Sequence, residues 1–284
     1  MPYREISSND CETGCAIGSS PTIKNHKTLI FILYCLRFLV TLRCIIVSIR
    51  KQRSYMACIL HIETSTNVCS VAVSLDGECI FHKEDFSGPN HAATLGGYVR
   101  EAVSFTDSHA IPFDAVAVSC GPGSYTGLRI GVSLAKGVCY GRALRLISVP
   151  TLDLMCVPLL LGEKVEEGAL LCPMLDARRM EVYAEVVDRG LRKVQETKAQ
   201  VVDADTYKEF LDKGKVYFFG NGSDKCRDII SHENAVFVPD VHPLAKNMMP
   251  LAEQRYMREE FEDVAYFEPF YLKDFVAIKP KKMI

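Results

Sequence analysis

Three short stretches carry residue types that can hold a phosphate. Residues 121–131 read Gly-Pro-Gly-Ser-Tyr-Thr-Gly-Leu-Arg-Ile-Gly, between an apolar run (114–119) and a segment of helical spacing that continues to about Tyr140. A tight turn of this composition aims free amides at a helix N-terminus, where unpaired N–H groups and the helix dipole favour an anion. It is neither a P-loop, lacking Gly-Lys-Ser/Thr, nor a Gly-x-Gly-x-x-Gly fingerprint. The same residues equally serve close strand-to-helix packing at Gly127 and Gly131. Glu63-Thr64-Ser65 falls between two strand-like runs. Its hydroxyls can line a phosphate and its carboxylate can orient a metal-bound water, or the three residues simply cap a turn. Gly220-Asn221-Gly222-Ser223 also follows a strand-like run. The candidate nucleotide-binding residues are therefore Glu63, Thr64, Ser65, Gly121, Gly123, Gly220 and Gly222.

Other chemistry is poorly supplied. A helical metal pair needs ligands at i and i+4, and four residues after His91 stands Leu95. The helix that His91 opens instead carries small and apolar residues, Ala92, Leu95, Gly96, Gly97 and Val99, a face suited to another helix as much as to internal packing. Asp176-Ala177-Arg178 joins two strand-like runs, either as a structural ion pair or as an exposed recognition point. No Ser-His-Asp grouping and no Gly-x-Ser-x-Gly elbow is present, so acyl transfer has no anchor. The twelve cysteines include no Cys-x-x-Cys pair. The eight after Met56 sit mostly among apolar neighbours, as buried thiols in a reducing cytoplasm do.

The elements that position these residues follow from periodicity. Strands are expected at 58–62, 68–75 and 78–83, the last two joined by Asp76-Gly77, a strong hairpin signal. A helix over 91–105, with Ala92, Leu95, Val99 and Val103 on one side, precedes a strand at 114–119. Then come the helix to about Tyr140, a strand at 144–149 and a helix over 151–161 with Thr151 as N-cap. The second half repeats the order loosely. Strands are expected at 169–175, 180–187, 193–202 and 216–219, a helix from Asp203 to Lys213, and another over 243–259. The fold class is α/β, with mixed sheets covered by helices in two related lobes.

Charge divides the chain. Its 284 residues carry a net charge of -2, which excludes a strongly basic nucleic-acid binder. Residues 1–55 alone hold 8 Lys/Arg against 3 Asp/Glu, leaving -7 on the remainder. Residues 28–49 are almost wholly apolar and long enough for a membrane span, but Arg37 and Arg43 oppose insertion. Three readings stay open: an extension foreign to the native protein, which would start at Met56; a membrane-associated helix; or a helix packed on the domain. The expected division is 1–55 as extension, 56–162 as first lobe and 163–284 as second lobe. The end, from Tyr271 through Lys282, is a short basic tail.

The stretches ILHIETST (59–66), the Asp-Gly hairpin, His91 opening a helix, GPGSYTGLRIG (121–131), DARRMEVY (176–183) and PFYLK (269–273) together resemble the TsaB (YeaZ) family. These are subunits of the machinery for tRNA threonylcarbamoyladenosine, within the glycoprotease-like (peptidase M22-like) superfamily. The resemblance covers essentially all of 57–275 and implies the ASKHA (actin/hexokinase/Hsp70-like) fold. It implies a cytoplasmic, non-catalytic scaffold that supports threonylcarbamoyl transfer to adenosine 37 of tRNAs reading codons that begin with A. The catalytic paralogue, TsaD, binds metal through a His-x-x-x-His pair that His91 and Leu95 do not reproduce. The implied partners are TsaD, a TsaE-like ATPase, and a second copy when the chain is alone. Tightly bound cofactor is not expected, with ATP or ADP entering only in the complex, and tRNA is met indirectly through it. The implied partner interface is His91, Ala92, Leu95, Gly96 and Val99, and residues 56–284 are expected to touch no membrane. The alternatives from other classes are an ATP-binding kinase-like enzyme and a metalloprotease-like enzyme of the same fold.

Overall fold

The computed structural model describes residues 57–88, 90–162 and 165–273, all within one compact unit. The readings for residues 1–55, the start at Met56 and the lysines of the tail beyond 273 lie outside the described residues. No helix among the described residues is long and apolar enough to cross a membrane.

Two five-stranded sheets are built the same way. In the first, β1 (Cys58–Glu63), β2 (Cys69–Leu75) and β3 (Glu78–Asp85) form an antiparallel meander, and β4 (Ala115–Gly121) and β5 (Arg145–Pro150) extend it in parallel, in the order β3-β2-β1-β4-β5. The second repeats this with β6 (Leu170–Asp176), β7 (Glu181–Val187), β8 (Lys193–Val201), β9 (Val216–Phe219) and β10 (Ala235–Val238), in the order β10-β9-β6-β7-β8. The duplicated topology is that of the ASKHA fold. Asp76 and Gly77 both adopt positive φ, 54° and 80°, which gives the hairpin a twist matching its strands.

Burial explains the composition of the first sheet. Every residue of β1 is buried, as expected of a strand covered on both faces. Leu60 and Ile62 pack beneath α1 (His91–Ser108) and α2 (Tyr125–Arg142). Ile59 faces the opposite layer, with Leu154 of α3 (Thr151–Leu161) and Ala252 of α5 (Met249–Met257). The buried stripe of α1 is His91, Leu95, Val99, Ala102 and Thr106. Relative to the expected face, Ala92 is turned outward and Val103 is half-buried.

Several local expectations shift. Pro150, not Thr151, is the N-cap of α3, and the Thr151 hydroxyl is buried without a partner. The expected helix from Asp203 shrinks to α4 (Lys208–Leu211). Asp203 Oδ1 takes the amide of Asp205 and the hydroxyl of Thr206, which holds the chain in turns instead. The segment over 243–259 opens with extended Leu244 and a 3₁₀ turn (Ala245–Met248), and α5 begins beside Pro250, whose missing N–H suits a first turn. After α5 the chain returns to the first sheet. Glu262 bridges Leu146 of edge strand β5, Lys136 Nζ donates to the carbonyls of Ala265 and Phe267, and the Phe270 amide donates to Cys120 O at 2.7 Å. This strap covers a sheet edge that would otherwise be open to pairing.

Helix α3 contributes Leu152, Met155 and Cys156 to the second core and Leu154 to the first. Its Asp153 meets Glu185 of β7, which is 1% exposed and held by the Thr197 hydroxyl (2.6 Å) and Lys193 Nζ (3.1 Å). Burial, then the charge of Glu185, pushes the Asp153 carboxyl well above the ordinary carboxylate range. A carboxyl whose folded pKa is raised binds protons more tightly when folded, so stability is lost as pH climbs above that ordinary range. Asp153→Asn is therefore expected to stabilise the chain by about 2 kcal/mol at pH 8 and to change little at pH 4. Urea denaturation at the two pH values checks this, and equal effects at both would refute it.

Candidate functional site

The turn after β1 is built around Glu63, which is fully buried and accepts the Ser65 amide at 2.5 Å. Burial pushes its carboxyl up to about 7, against the opposing hydroxyls of Ser119 and Ser65 and the amides of Ser65 and Thr64. Those hydroxyls lie near Glu63 without aligning into hydrogen bonds: Glu63 Oε2, Ser65 Oγ and Ser119 Oγ are all buried without a partner.

The glycine-rich turn lies directly on this one. The Ser124 amide donates to Ser65 O at 2.7 Å, and Thr64 Oγ1 donates to Gly127 O at 2.8 Å. The Ser124 side chain caps α2 by accepting from the Gly127 amide. A Cβ on Gly123 would stand 2.5 Å from Ser65 O, and one on Gly127 only 2.1 Å from Thr64 O. At Gly121 it would stand 2.5 Å from Phe270 O. Close backbone approach thus accounts for the glycine spacing. Of the third stretch, Gly220 packs against Met155 and Met174 O, and Gly222 against Leu175. Asn221 between them turns to the other side and accepts the Asp176 amide.

A cleft of about 690 Å³ lies between the two sheets, walled by residues 65–67 and 123–126 on one side and 175–179 with Asn221 on the other. Ser65 and Gly123 of the candidate residues reach it. Glu63, Thr64, Gly121, Gly220 and Gly222 do not line it. Asp176 pairs with Lys225 at 2.5 Å and accepts the Arg178 amide, so the ion pair at this junction leaves the arginines out. Tyr271, Leu272 and Lys273 complete the cleft wall. Tyr271 packs on Tyr125 with the ring centres 4.6 Å apart and the planes inclined by 35°, and Lys273 pairs with Glu181. Reading the end from Tyr271 onward as a short basic tail hid this placement, because a strap crossing to another lobe leaves no periodic trace.

His91 binds Thr66 O through Nε2 at 2.7 Å, tying the start of α1 to the Glu63 turn. No group of three His, Cys, Asp or Glu among the described residues could hold a metal ion. The eight cysteines after Met56 are free thiols, six of them buried.

A second concavity, a largely apolar groove of about 820 Å³, runs between α1 and α2. Ala92 and Gly96 line it from α1, and Tyr125, Arg129, Ile130 and Leu134 from α2. The five residues named for the partner interface divide here. Ala92 and Gly96 are exposed, and a Cβ on Gly96 would meet nothing within 4 Å. Leu95 and Val99, 1% and 5% exposed, belong to the core with Val71 and Leu60. His91 and Leu95 touch only the groove's floor.

Comparison with known proteins gives a consistent picture. Residues 85–281 match the family model described as "TsaD: tRNA N6-adenosine threonylcarbamoyltransferase". The chain is 31% identical to the tRNA threonylcarbamoyladenosine biosynthesis protein TsaB of Escherichia coli K12, over 78% of this chain and 96% of that one. With the protein of the same name from Haemophilus influenzae it shares 25% identity over 78% and 95%. Among solved structures it resembles YeaZ from Pseudomonas aeruginosa, with TM-score 0.65 and 23% identity over 76% of this chain and all of that one. That likeness bears on the fold.

Proposed function

Because the chain belongs to the TsaB (YeaZ) family of tRNA threonylcarbamoyladenosine biosynthesis proteins, we propose that it works there as a cytoplasmic, non-catalytic partner of a TsaD-like catalytic paralogue. It has a role in tRNA threonylcarbamoyladenosine biosynthesis. The finer reading is that it scaffolds transfer of the threonylcarbamoyl group to adenosine 37, alongside a TsaE-like ATPase, and pairs with itself when alone.

The observation that carries this reading is the groove between α1 and α2. A folded domain gains nothing from leaving apolar Ile130 and Leu134 beside an open channel with Gly96 on its rim, whereas a partner helix can bury both and approach the glycine backbone closely. The single histidine where the paralogue places a metal pair is committed to Thr66 O, which fits a structural rather than a catalytic role. The kinase-like alternative is weakened by the Ser124–Ser65 contact, which occupies the side of the turn that a phosphate would approach.

Purified chain is expected to form no threonylcarbamoyladenosine from threonylcarbamoyl-AMP and tRNA, and to restore it when added to the catalytic paralogue. Modification by this chain alone would overturn the proposal.

A further inference from the structure

We propose that Arg178 and Arg179, with the Tyr125–Tyr271 pair across the cleft, grip a single-stranded segment of the tRNA by its phosphates and an unstacked base. The inference rests on the functional reading above and adds a direct RNA contact to a subunit whose body is acidic as a whole.

The charges of the cleft cancel in all but one place. Lys225 is taken by Asp176 and Lys273 by Glu181. Arg178 and Arg179 are exposed, and neither guanidinium has an ion pair or hydrogen bond among the described residues. Two unpaired guanidiniums in one turn are a phosphate-binding device, since each presents a planar fork of donors. Their backbone is equally pointed. Arg178 and Arg179 both sit at positive φ, 74° and 51°, a region that residues other than glycine and asparagine rarely adopt. The turn holds two long charged side chains where Gly would be relaxed, and such strain gathers where a side chain must be aimed.

The opposite wall supplies what a nucleotide unit needs beyond charge. Ser65, 1% exposed, borders the cleft with its hydroxyl turned to the buried Glu63, so the wall there is neutral backbone and adds no charge of its own. The half-buried rings of Tyr125 and Tyr271, in tilted contact with each other, line the same space, and aromatic faces beside arginines are how proteins hold unpaired bases without reading sequence. A free nucleoside triphosphate fits less well. Its phosphates would need the amides of the Glu63 turn, but the Ser65 amide is held by Glu63 and the Ser124 amide closes over Ser65 O.

The test uses the full chain assembled with its catalytic paralogue, an unmodified tRNA transcript and a salt titration. Arg178→Gly with Arg179→Gly removes both charges while suiting the left-handed backbone. The Kd for tRNA at low salt is expected to rise about tenfold, and the slope of log Kd against log salt to fall by about 1.4, for two single-strand phosphates. Arg178→Lys with Arg179→Lys should keep the slope. Unchanged affinity and slope for the double glycine variant, in a complex that still modifies tRNA, would overturn this contact and leave the functional reading standing. A variant that loses ATP binding while holding tRNA normally would also overturn it, giving the arginines to a nucleotide. Failure of the wild-type complex to modify tRNA would instead strike the functional reading.

Discussion

Gly96→Arg is expected to raise the melting temperature of the isolated chain while weakening its association with the catalytic paralogue at least 100-fold. The two effects have separate causes. Gly96 lies inside the 18-residue helix α1, is exposed, and has open space where a Cβ would stand. A glycine in a helix interior costs about 1 kcal/mol relative to a good helix former, so arginine recovers that amount without meeting a neighbour. In the complex the same position lines the groove, where a partner helix would come closest to a residue with no side chain. A long charged side chain there must be buried unpaired or must hold the helices apart, and either costs several kcal/mol. Gel filtration of the mixture together with thermal unfolding of the chain alone reads both. Co-elution like wild type would remove the groove from the interface. Leu95→Arg cannot serve the same purpose, because Leu95 is part of the core and a buried arginine would unfold the lobe.

That contrast between adjacent residues marks where sequence reading stops. The meander of β1 to β3 was legible because its apolar runs are bounded by Asp76-Gly77, and the duplication was legible from element order, although no residue pattern repeats. The rotation of α1 was not. Ala92, Ala93, Gly96 and Gly97 are nearly neutral between core and surface, so the periodicity could place the inward stripe one residue either way, and only the buried Leu95, Val99 and Ala102 decide it. In the second lobe, helix α4 is reduced to four residues because side chains of Asp203 and Thr206 compete for the backbone, and β10 is a half-buried edge strand with too little hydrophobic contrast to announce itself. The candidate site was half legible. Gly123 and Gly127 flag a place where backbones meet, but the partners of that meeting, Ser65 and Thr64, are some sixty residues away, and the strap that meets Gly121 at Phe270 is farther still.

The glycines of α2 turn this into a sharper test, since four of them share one helix and are expected to respond with opposite signs. At Gly137 and Gly141 a methyl would meet nothing within 4 Å, so Gly137→Ala is expected to stabilise by about 0.5–1 kcal/mol through helix propensity alone. Gly127→Ala places its methyl 2.1 Å from Thr64 O. That oxygen is backbone, fixed by the turn that Glu63 and Ser124 hold, and cannot swing aside. The helix must move off the turn, breaking the Thr64–Gly127 hydrogen bond, and the expected loss is about 3–5 kcal/mol. Gly131→Ala is the informative intermediate, because its methyl meets the Thr64 hydroxyl, a side-chain atom, at 2.3 Å. Thr64→Ala should therefore rescue Gly131→Ala in part and leave Gly127→Ala as damaged as before, a non-additivity that urea denaturation of the two double variants can measure. Equal rescue of both would mean that the hydroxyl, not the backbone of the Glu63 turn, sets the distance between turn and helix.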